Sequence, residues 1–222
     1  MLILATTERE YPWGVLRSTN ASKVKVVLEE KGLTYQVDRL HPGDLWKKPA
    51  QILAKHPLGK VPYLETDDDG VIFDSTVINE YLDDKYANNP LKPQAAAVRA
   101  RMRMLENYAD EAIISVDLPK LWMPMWSSPE KRDVDVMEQG REGMRKNRLP
   151  FIEAEIGQHE FLCGEFSLAD VPYMAIAMVF EVDDFDLSDF PRTSAYFDRL
   201  RARDSYTAIS PKTSLEDSLG SS

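Results

Sequence analysis

The fold is decided by residues 56–86, which read HPLGKVPYLETDDDGVIFDSTVINEYLDDKY. In HPLG, Pro stands second and Gly fourth, which is typical of a four-residue turn, and DDDG predicts a second turn. The runs on either side of DDDG, residues 61–66 and 71–73, have the composition of short strands, so we expect an antiparallel hairpin. Further on, the apolar residues follow a helical spacing and DST supplies capping oxygens, which predicts a helix starting at Ser75.

Two features of this stretch indicate a peptide ligand. Pro62 stands at a strand start, and a cis bond there would turn the N–H and C=O of Val61 outward to pair with an added strand. The free N–H groups at the Ser75 helix start suit a carboxylate, and Asp74 suits an ammonium group. The alternative is that Pro62 ends a loop and that Asp74 and Ser75 only cap a helix; spacing alone favours this alternative.

The runs GKVPYL at 59–64, DSTVI at 74–78 and EYLD at 80–83 resemble the glutathione site of the cytosolic glutathione S-transferase superfamily. That family has a cis-Pro after Val or Ile, then an acidic residue and Ser at a helix start, at the separation seen here. The resemblance implies glutathione as co-substrate. Val61 and Pro62 would align its cysteinyl backbone, while Asp74 and Ser75 would hold its γ-glutamyl end.

The composition limits the partners. The chain has 222 residues, a net charge of −10, 43% hydrophobic and 29% charged residues. This charge argues against nucleic acid or an anionic membrane as partner, and no apolar run is long enough to span a membrane. Residues 2–5 are too short for a signal peptide. The single cysteine, Cys163, excludes an intrachain disulfide framework and favours a cytoplasmic location.

The first half predicts a thioredoxin-like domain at residues 13–86. Residues 2–5 have the composition of a strand, but alignment with the family puts the first strand at 13–17, so we expect residues 1–12 to be an N-terminal extension. A helix ending at Gly32 and a second strand at about 35–40 follow, and the intervening helix makes these strands parallel. With the hairpin and the helix after it, the order is βαβ then ββα.

The segment STNASKVKVVLEEK, residues 18–31, resembles the first helix of the transferases. In the phi, theta and zeta classes a serine just before this helix is catalytic, and Ser18 falls on that position. Helix N-terminal donors and a hydroxyl hydrogen bond lower the pKa of a thiol, which is near 8.5 when free. The alternatives for this role are Thr19, Asn20, Ser22 and Tyr11. Residues 1–89 contain no cysteine, so we do not expect disulfide exchange.

Three lysines would meet the anionic ligand. By the resemblance, Lys47 and Lys48 match the basic positions that contact the glycine carboxylate of glutathione, and Lys60 lies beside the cysteinyl contact. For Lys47 or Lys48 considered alone, an ordinary solvated surface position is an equally good interpretation. His56 stands where the family usually has Asn, and we interpret it as a turn residue. We expect no metal site.

The second half predicts an all-helical domain at residues 94–209, after a linker at 87–93 and before a flexible polar tail at 210–222. FSLAD at 166–170 has the form of a capping box and resembles the box that begins the central helix of the transferases' second domain. LWMPMW at 121–126 is a candidate pocket lining for an electrophile, but its composition favours core or a dimer contact.

The resemblance implies a glutathione transferase fold, with a thioredoxin-like α/β domain followed by a helical bundle, and a homodimer as in the family. The expected reaction is attack of the glutathione thiolate on a small apolar electrophile, by conjugation, thiolytic ether cleavage or dehalogenation, because DSTVI-x-EYL is also similar to bacterial ether-cleaving members. The alternative is a non-catalytic binding protein of the stringent starvation protein A family, whose patterns resemble residues 80–86, 165–170 and 203–206. The presence of Ser18, Lys60, Asp74 and Ser75 favours a working site.

Overall fold

The computed structural model describes residues 1–12 and 14–216. It contains two compact units: unit 1 comprises Met1–Pro90 together with the chain from Asp204 onward, and unit 2 is Leu91–Arg203. The boundary between Pro90 and Leu91 falls inside the stretch expected to be a linker.

Unit 1 is built on a four-stranded mixed sheet with the strand order β4-β1-β5-β6. Strand β1 runs parallel to β4, with Leu4 opposite Val37, and antiparallel to β5, with Leu4 opposite Leu64. Strand β6 pairs antiparallel with β5 across the DDDG turn, which confirms the predicted hairpin. The strands are β1 (Leu2–Thr6), β4 (Gln36–Arg39), β5 (Tyr63–Thr66) and β6 (Gly70–Phe73).

The expectation that residues 1–12 are an extension is wrong, because Leu2–Thr6 forms a central strand of the sheet. Leu2, Leu4 and Ala5 are buried, as a strand with two neighbours requires. The first strand was expected at 13–17; a strand does lie there, β3 (Gly14–Arg17), but it pairs only with β2 (Glu8–Tyr11) in a separate two-stranded hairpin. This hairpin is inserted between β1 and the first helix.

Two helices of unit 1, the one after Ser18 and the one after Asp74, begin next to the capping residues that the sequence indicates. Helix α4 begins at Ser75, as expected. It packs against α1, where the buried Lys31 Nζ lies 2.8 Å from Asp83 Oδ1 and also donates to the Asn88 carbonyl. The helices are α1 (Thr19–Glu30), α2 (Pro42–Lys47), α3 (Ala50–Leu53) and α4 (Ser75–Lys85).

Unit 2 is helical and is centred on α9, which is buried from Val171 through Phe180. Before α9 the chain forms a 3₁₀ turn, then α7, then a π-helical turn that continues into α8 at Leu149. Across the described chain, no helix combines the length and apolarity needed to cross a membrane. The helices are α5 (Ala96–Tyr108), α6 (Leu118–Met125), α7 (Val134–Gly143), α8 (Leu149–Ile156), α9 (Val171–Asp183) and α10 (Pro191–Arg201), with π-helical Ala109–Asp117 and Met144–Arg148 and 3₁₀ Pro129–Lys131.

The end of the chain returns to unit 1. Asp204–Ala208 forms a 3₁₀ helix that packs against α1. Residues 204–209 were expected to be part of the helical domain, but they belong to unit 1. Residues 210–216 are not a loose tail, because the Val15 N–H donates to the Pro211 carbonyl at 2.9 Å. The main-chain carbonyls of residues 210–216 accept hydrogen bonds from N–H groups elsewhere in unit 1. The rest of the expected tail, residues 217–222, lies outside the described residues.

Candidate functional site

The strand register brings the two predicted motifs to one edge of the sheet. Tyr63 opens β5 and lies between Ala5, near the carboxyl end of β1, and Phe73, the last residue of β6. Pro62 precedes Tyr63 and Asp74 follows Phe73. The two motifs, 12 positions apart in the chain, therefore meet at this edge, which we call the ligand edge.

The remaining candidate residues also lead to the ligand edge. The N–H of Ser18 donates to the carbonyl of Thr7, directly after β1, at 2.9 Å. Leu40, directly after β4, donates to the carbonyl of Thr6 at 2.8 Å, and the chain then enters α2, whose last residue is Lys47. Because β1 and β4 are parallel, their carboxyl ends share this edge.

Val61 and Pro62 present free backbone at the ligand edge. Their peptide bond is cis. The Val61 side chain packs against the cluster of Ala5, Ile52 and Tyr63. Within residues 1–12 and 14–216, no hydrogen bond to the Val61 main chain is found. The side chain is anchored while the N–H and C=O stay available to an extended peptide.

Asp74 and Ser75 form the start of α4. Asp74 has φ +73°, and its Oδ1 accepts hydrogen bonds from the N–H groups of Thr76 at 3.0 Å and Val77 at 3.2 Å. Ser75 is only 6% exposed, and its hydroxyl has no hydrogen-bond partner in the part of the chain described. The Ser75 Oγ is not among the side-chain atoms that are buried without a partner, so the hydroxyl keeps contact with solvent and is open to a ligand acceptor.

The HPLG turn is held against the end of β6 by His56. Its Nδ1 accepts from the N–H of Leu58 at 3.2 Å, and its ring centroid lies 4.9 Å from that of Phe73. Burial and the nearby Lys60 ammonium lower the pKa of His56, and the Asp74 carboxylate opposes that shift. His56 thus acts as the turn residue that the sequence predicts, and both the Lys60 and the Asp74 charges act on its ring.

The lysines of the site are exposed. Lys48 has φ +44°, and its side chain lies so close over Gly59 that a Cβ there would be 2.9 Å from the Lys48 Cγ. Gly59, with φ +63°, is therefore required both for its backbone conformation and for the approach of Lys48. Lys48 and Lys60 flank the same turn, whereas Lys47 ends α2.

Ser18 is the half-buried N-cap of α1. Its Oγ accepts from the N–H of Ala21 at 3.3 Å, so its own hydrogen remains available to donate. The first turn of α1 has no acidic residue that would oppose a thiolate. Among the alternatives, Ser22 is buried, and Tyr11 lies on the inserted hairpin with the Arg9 guanidinium 4.9 Å above its ring. Thr19 and Asn20 remain half-buried beside the cap.

A buried charge cluster behind Ser18 was not predicted. Glu8 receives an ion pair from Lys25, a hydrogen bond from Arg39 Nε at 2.9 Å, and has Arg17 Nε at 3.7 Å. Burial raises the pKa of Glu8, but these cations outweigh it and hold the pKa below its usual value. The available signal was the run KVKVV, in which lysines alternate with core residues of α1. Among the residues described, no group of three or more His, Cys, Asp or Glu is arranged to hold a metal ion.

Two family models match the chain. The N-terminal domain of glutathione S-transferase matches residues 17–85, and the C-terminal domain of glutathione S-transferase matches residues 113–204. The fold and the two motifs at the ligand edge agree with these matches. The chain belongs to the glutathione S-transferase superfamily.

The chain is similar in sequence both to a stringent starvation protein A homolog and to glutathione S-transferases. A stringent starvation protein A homolog of Pasteurella multocida is 27% identical over 188 residues, covering 83% of this chain and 82% of that protein. Glutathione S-transferase F10 of Arabidopsis thaliana is 26% identical over 209 residues, covering 88% and 94%. The structure of a glutathione transferase homolog from Sulfitobacter with bound glutathione superposes with a TM-score of 0.74 at 23% identity, covering 94% and 96%.

Proposed function

We propose that the protein binds glutathione at the ligand edge and activates its thiol for attack on a small apolar electrophile. The observation that carries this proposal is the Ser75 hydroxyl, which is open to solvent and has no described partner, at a helix start on the same sheet edge as the free main chain of Val61. A γ-glutamyl carboxylate at the start of α4 and a cysteinyl backbone along Val61 would satisfy both. The glutathione bound to the Sulfitobacter homolog supports this choice of ligand.

Each end of glutathione has an assigned contact. Asp74 and Ser75 hold the γ-glutamyl end, Val61 and Pro62 align the cysteinyl backbone, and Lys60 lies beside that contact. Lys47 or Lys48 meets the glycine carboxylate and offsets the net charge of −10 near an anionic tripeptide.

Ser18 stabilises the thiolate. The glutathione thiol loses its proton to water, and the thiolate accepts a hydrogen bond from the Ser18 hydroxyl at the positive end of α1. The sulfur then forms a bond to the electrophilic carbon, and the leaving group departs with its bonding electrons. Conjugation, ether cleavage and dehalogenation differ only in that leaving group. We place this chemistry in a cytoplasmic homodimer, as is typical of the family.

The test is calorimetric titration of reduced glutathione into the wild type, Ser75→Ala and the control Ser194→Ala. Ser194 is a half-buried serine of α10 in unit 2. We expect micromolar-to-millimolar binding that Ser75→Ala weakens by about 1 kcal/mol, or roughly fivefold, and that Ser194→Ala leaves unchanged. Ser18→Ala should bind glutathione but raise the pKa of the bound thiol.

The alternative is a non-catalytic binding protein, which the similarity to the Pasteurella multocida stringent starvation protein A homolog favours. Absence of heat at millimolar glutathione would reject the transferase proposal and leave this one. Binding with no thiol pKa shift in the wild type would keep the ligand but reject the enzymatic step.

A further inference from the structure

Arg17 joins the residue before Ser18 to the end of the chain. It is the last residue of β3 and is 0% exposed. Its Nη1 donates to the carbonyl of Ser210 at 2.7 Å and its Nη2 to the carbonyl of Thr213 at 2.8 Å. A buried guanidinium held by two carbonyls from one segment fixes that segment against β3.

Further contacts continue this attachment along residues 204–216, which we call the C-terminal segment. The carbonyl of Pro211 accepts from the Val15 N–H at 2.9 Å, and the carbonyl of Leu215 accepts from Arg39 Nη2 at 3.0 Å. Gly14, with φ +141°, allows this approach, because a Cβ there would lie 2.9 Å from the Pro211 oxygen. The inserted hairpin is thus covered by carbonyl groups from the other end of the chain.

The same carbonyls complete the charge cluster. Glu8 is one carboxylate surrounded by the cations of Arg17, Lys25 and Arg39. Arg17 is fully buried, unlike the exposed Arg39, and a buried cation needs further acceptors when it shares a single anion with other cations. Because the described contacts of Arg17 and Arg39 include the carbonyls of Ser210, Thr213 and Leu215, the C-terminal segment supplies acceptors that Glu8 alone cannot.

We propose that Arg17 and the C-terminal segment position Ser18 for thiol activation. The inference rests on the proposed function and adds a structural feature that sets the position of Ser18. Ser18 is the next residue after Arg17, and its N–H closes the base of the hairpin on Thr7 at 2.9 Å. If the hairpin moves, the Ser18 hydroxyl moves with it. The glutathione contacts at Val61, Pro62, Asp74 and Ser75 come from other elements, so they are independent of the segment.

The experiment compares a chain lacking residues 210–222 with a chain lacking only residues 217–222. The first loses the Ser210 and Thr213 carbonyls and leaves Arg17 only its longer contact with Ile209, 3.5 Å from Nη1 to the oxygen, whereas the second keeps every contact described above. Glutathione affinity is measured by calorimetry, and the pKa of the bound thiol by ultraviolet titration of the thiolate. Deletion of 210–222 should change the dissociation constant by less than about twofold but raise the bound thiol pKa toward about 8.5. Deletion of 217–222 should change neither.

A double-mutant cycle separates positioning from a general structural effect. If the segment acts through Ser18, then Ser18→Ala combined with deletion of 210–222 raises the thiol pKa no further than Ser18→Ala alone. Additive shifts would overturn the proposal, as would an unchanged thiol pKa or a glutathione affinity that falls tenfold with the deletion. Should the deleted chain fail to fold, Gly14→Ala, which displaces Pro211, is judged by the same two readouts. A wild type that binds no glutathione would instead reject the proposed function, and the inference with it.

Discussion

At the residue scale, the buried polar side chains of α4 differ in how they are satisfied. Asp83 accepts from Lys31, so its burial is compensated by an ion pair. Asn79, about one turn earlier, is 0% exposed, and within the described chain neither its Nδ2 nor its Oδ1 has a hydrogen-bond partner. An unpaired buried amide costs about 1–3 kcal/mol, since its hydration is lost without replacement.

Asn79→Leu should therefore stabilise the protein. Leucine has a similar size, retains helix propensity and removes the unpaired amide, so we expect the free energy of unfolding to rise by about 1 kcal/mol. The measurement is urea unfolding of the ligand-free protein, followed by circular dichroism.

Asn147→Leu is the matched control. Asn147 is exposed, and no contact of its side chain is described, so its replacement should change stability by less than about 0.5 kcal/mol. A loss of stability in Asn79→Leu would show that the amide has a partner, such as a buried water.

At the element scale, the start of α9 depends on one buried carboxylate. Asp170 accepts from the N–H of Leu162 at 3.0 Å, the N–H of Ser167 at 2.9 Å and the hydroxyl of Tyr196 at 2.8 Å. Burial raises the pKa of Asp170 to about 6, although these donors oppose the shift. The predicted capping box does not cap α9, whose first turn has no side-chain cap; the Ser167 N–H and hydroxyl donate to Asp170 in the turn before the helix, and Asp170 ties this turn to α10.

This pKa predicts a pH dependence of stability. The folded-state pKa lies above the ordinary value of 3.8, so the folded protein binds more protons than the unfolded chain between these values. The contribution of Asp170 to stability is therefore greatest below this range and is lost as the pH rises through about 6. At about 1.4 kcal/mol per pKa unit, the loss is about 3 kcal/mol.

Asp170→Asn removes this titration, so the stability of the wild type relative to Asp170→Asn should fall between pH 4 and pH 7. Urea unfolding at several pH values measures the difference. Asp186→Asn is an opposite-sign control: the N–H and hydroxyl of Ser188 lower the pKa of Asp186, so the wild type should gain stability relative to that variant as the pH rises toward the ordinary value of 3.8, with a nearly flat difference above about pH 5. A flat difference for Asp170→Asn would contradict the raised pKa.

The elements that were predicted from the sequence have their interaction partners nearby in the chain, whereas the elements that were missed do not. The turns, the β5–β6 hairpin and the start of α4 depend on neighbours within a few residues, so local patterns were sufficient. Strand β1 depends on pairing with β4, more than 30 positions away in the chain. The family match begins at Arg17, the last residue of the hairpin, so it does not include β1.

At the scale of the whole molecule, the part of the candidate site that is built from local motifs was predictable from the sequence. The part that depends on contacts between the first and last residues of unit 1 was not. Val61, Pro62, Asp74 and Ser75 were identified from their sequence, and the sheet register brings them to one edge. The partners of Arg17 lie 193 and 196 positions away. No local pattern indicates such contacts, and the polar composition of the tail predicted the opposite.

Unit 1 consequently needs both ends of the chain. Tyr206, Ala208 and Ile209 are buried in it, and Ser205 Oγ donates to Glu30 Oε1 at 2.6 Å at the end of α1. Burying each large apolar side chain contributes about 1.5–3 kcal/mol. Deleting residues 204–222 should therefore cost several kcal/mol and expose α1, whereas deleting 210–222 keeps these residues and should cost less.

Hydrogen exchange measured by mass spectrometry distinguishes these deletions. In the chain lacking 204–222, amides of α1 should lose protection by at least tenfold, while those of α9, the buried helix of unit 2, should keep it and serve as the internal control. Deletion of 210–222 should affect mainly β3, where the Val15 N–H loses its acceptor. Equal loss of protection in α1 and α9 would mean that the two units unfold together and would contradict the assignment of residues 204–209 to unit 1 alone.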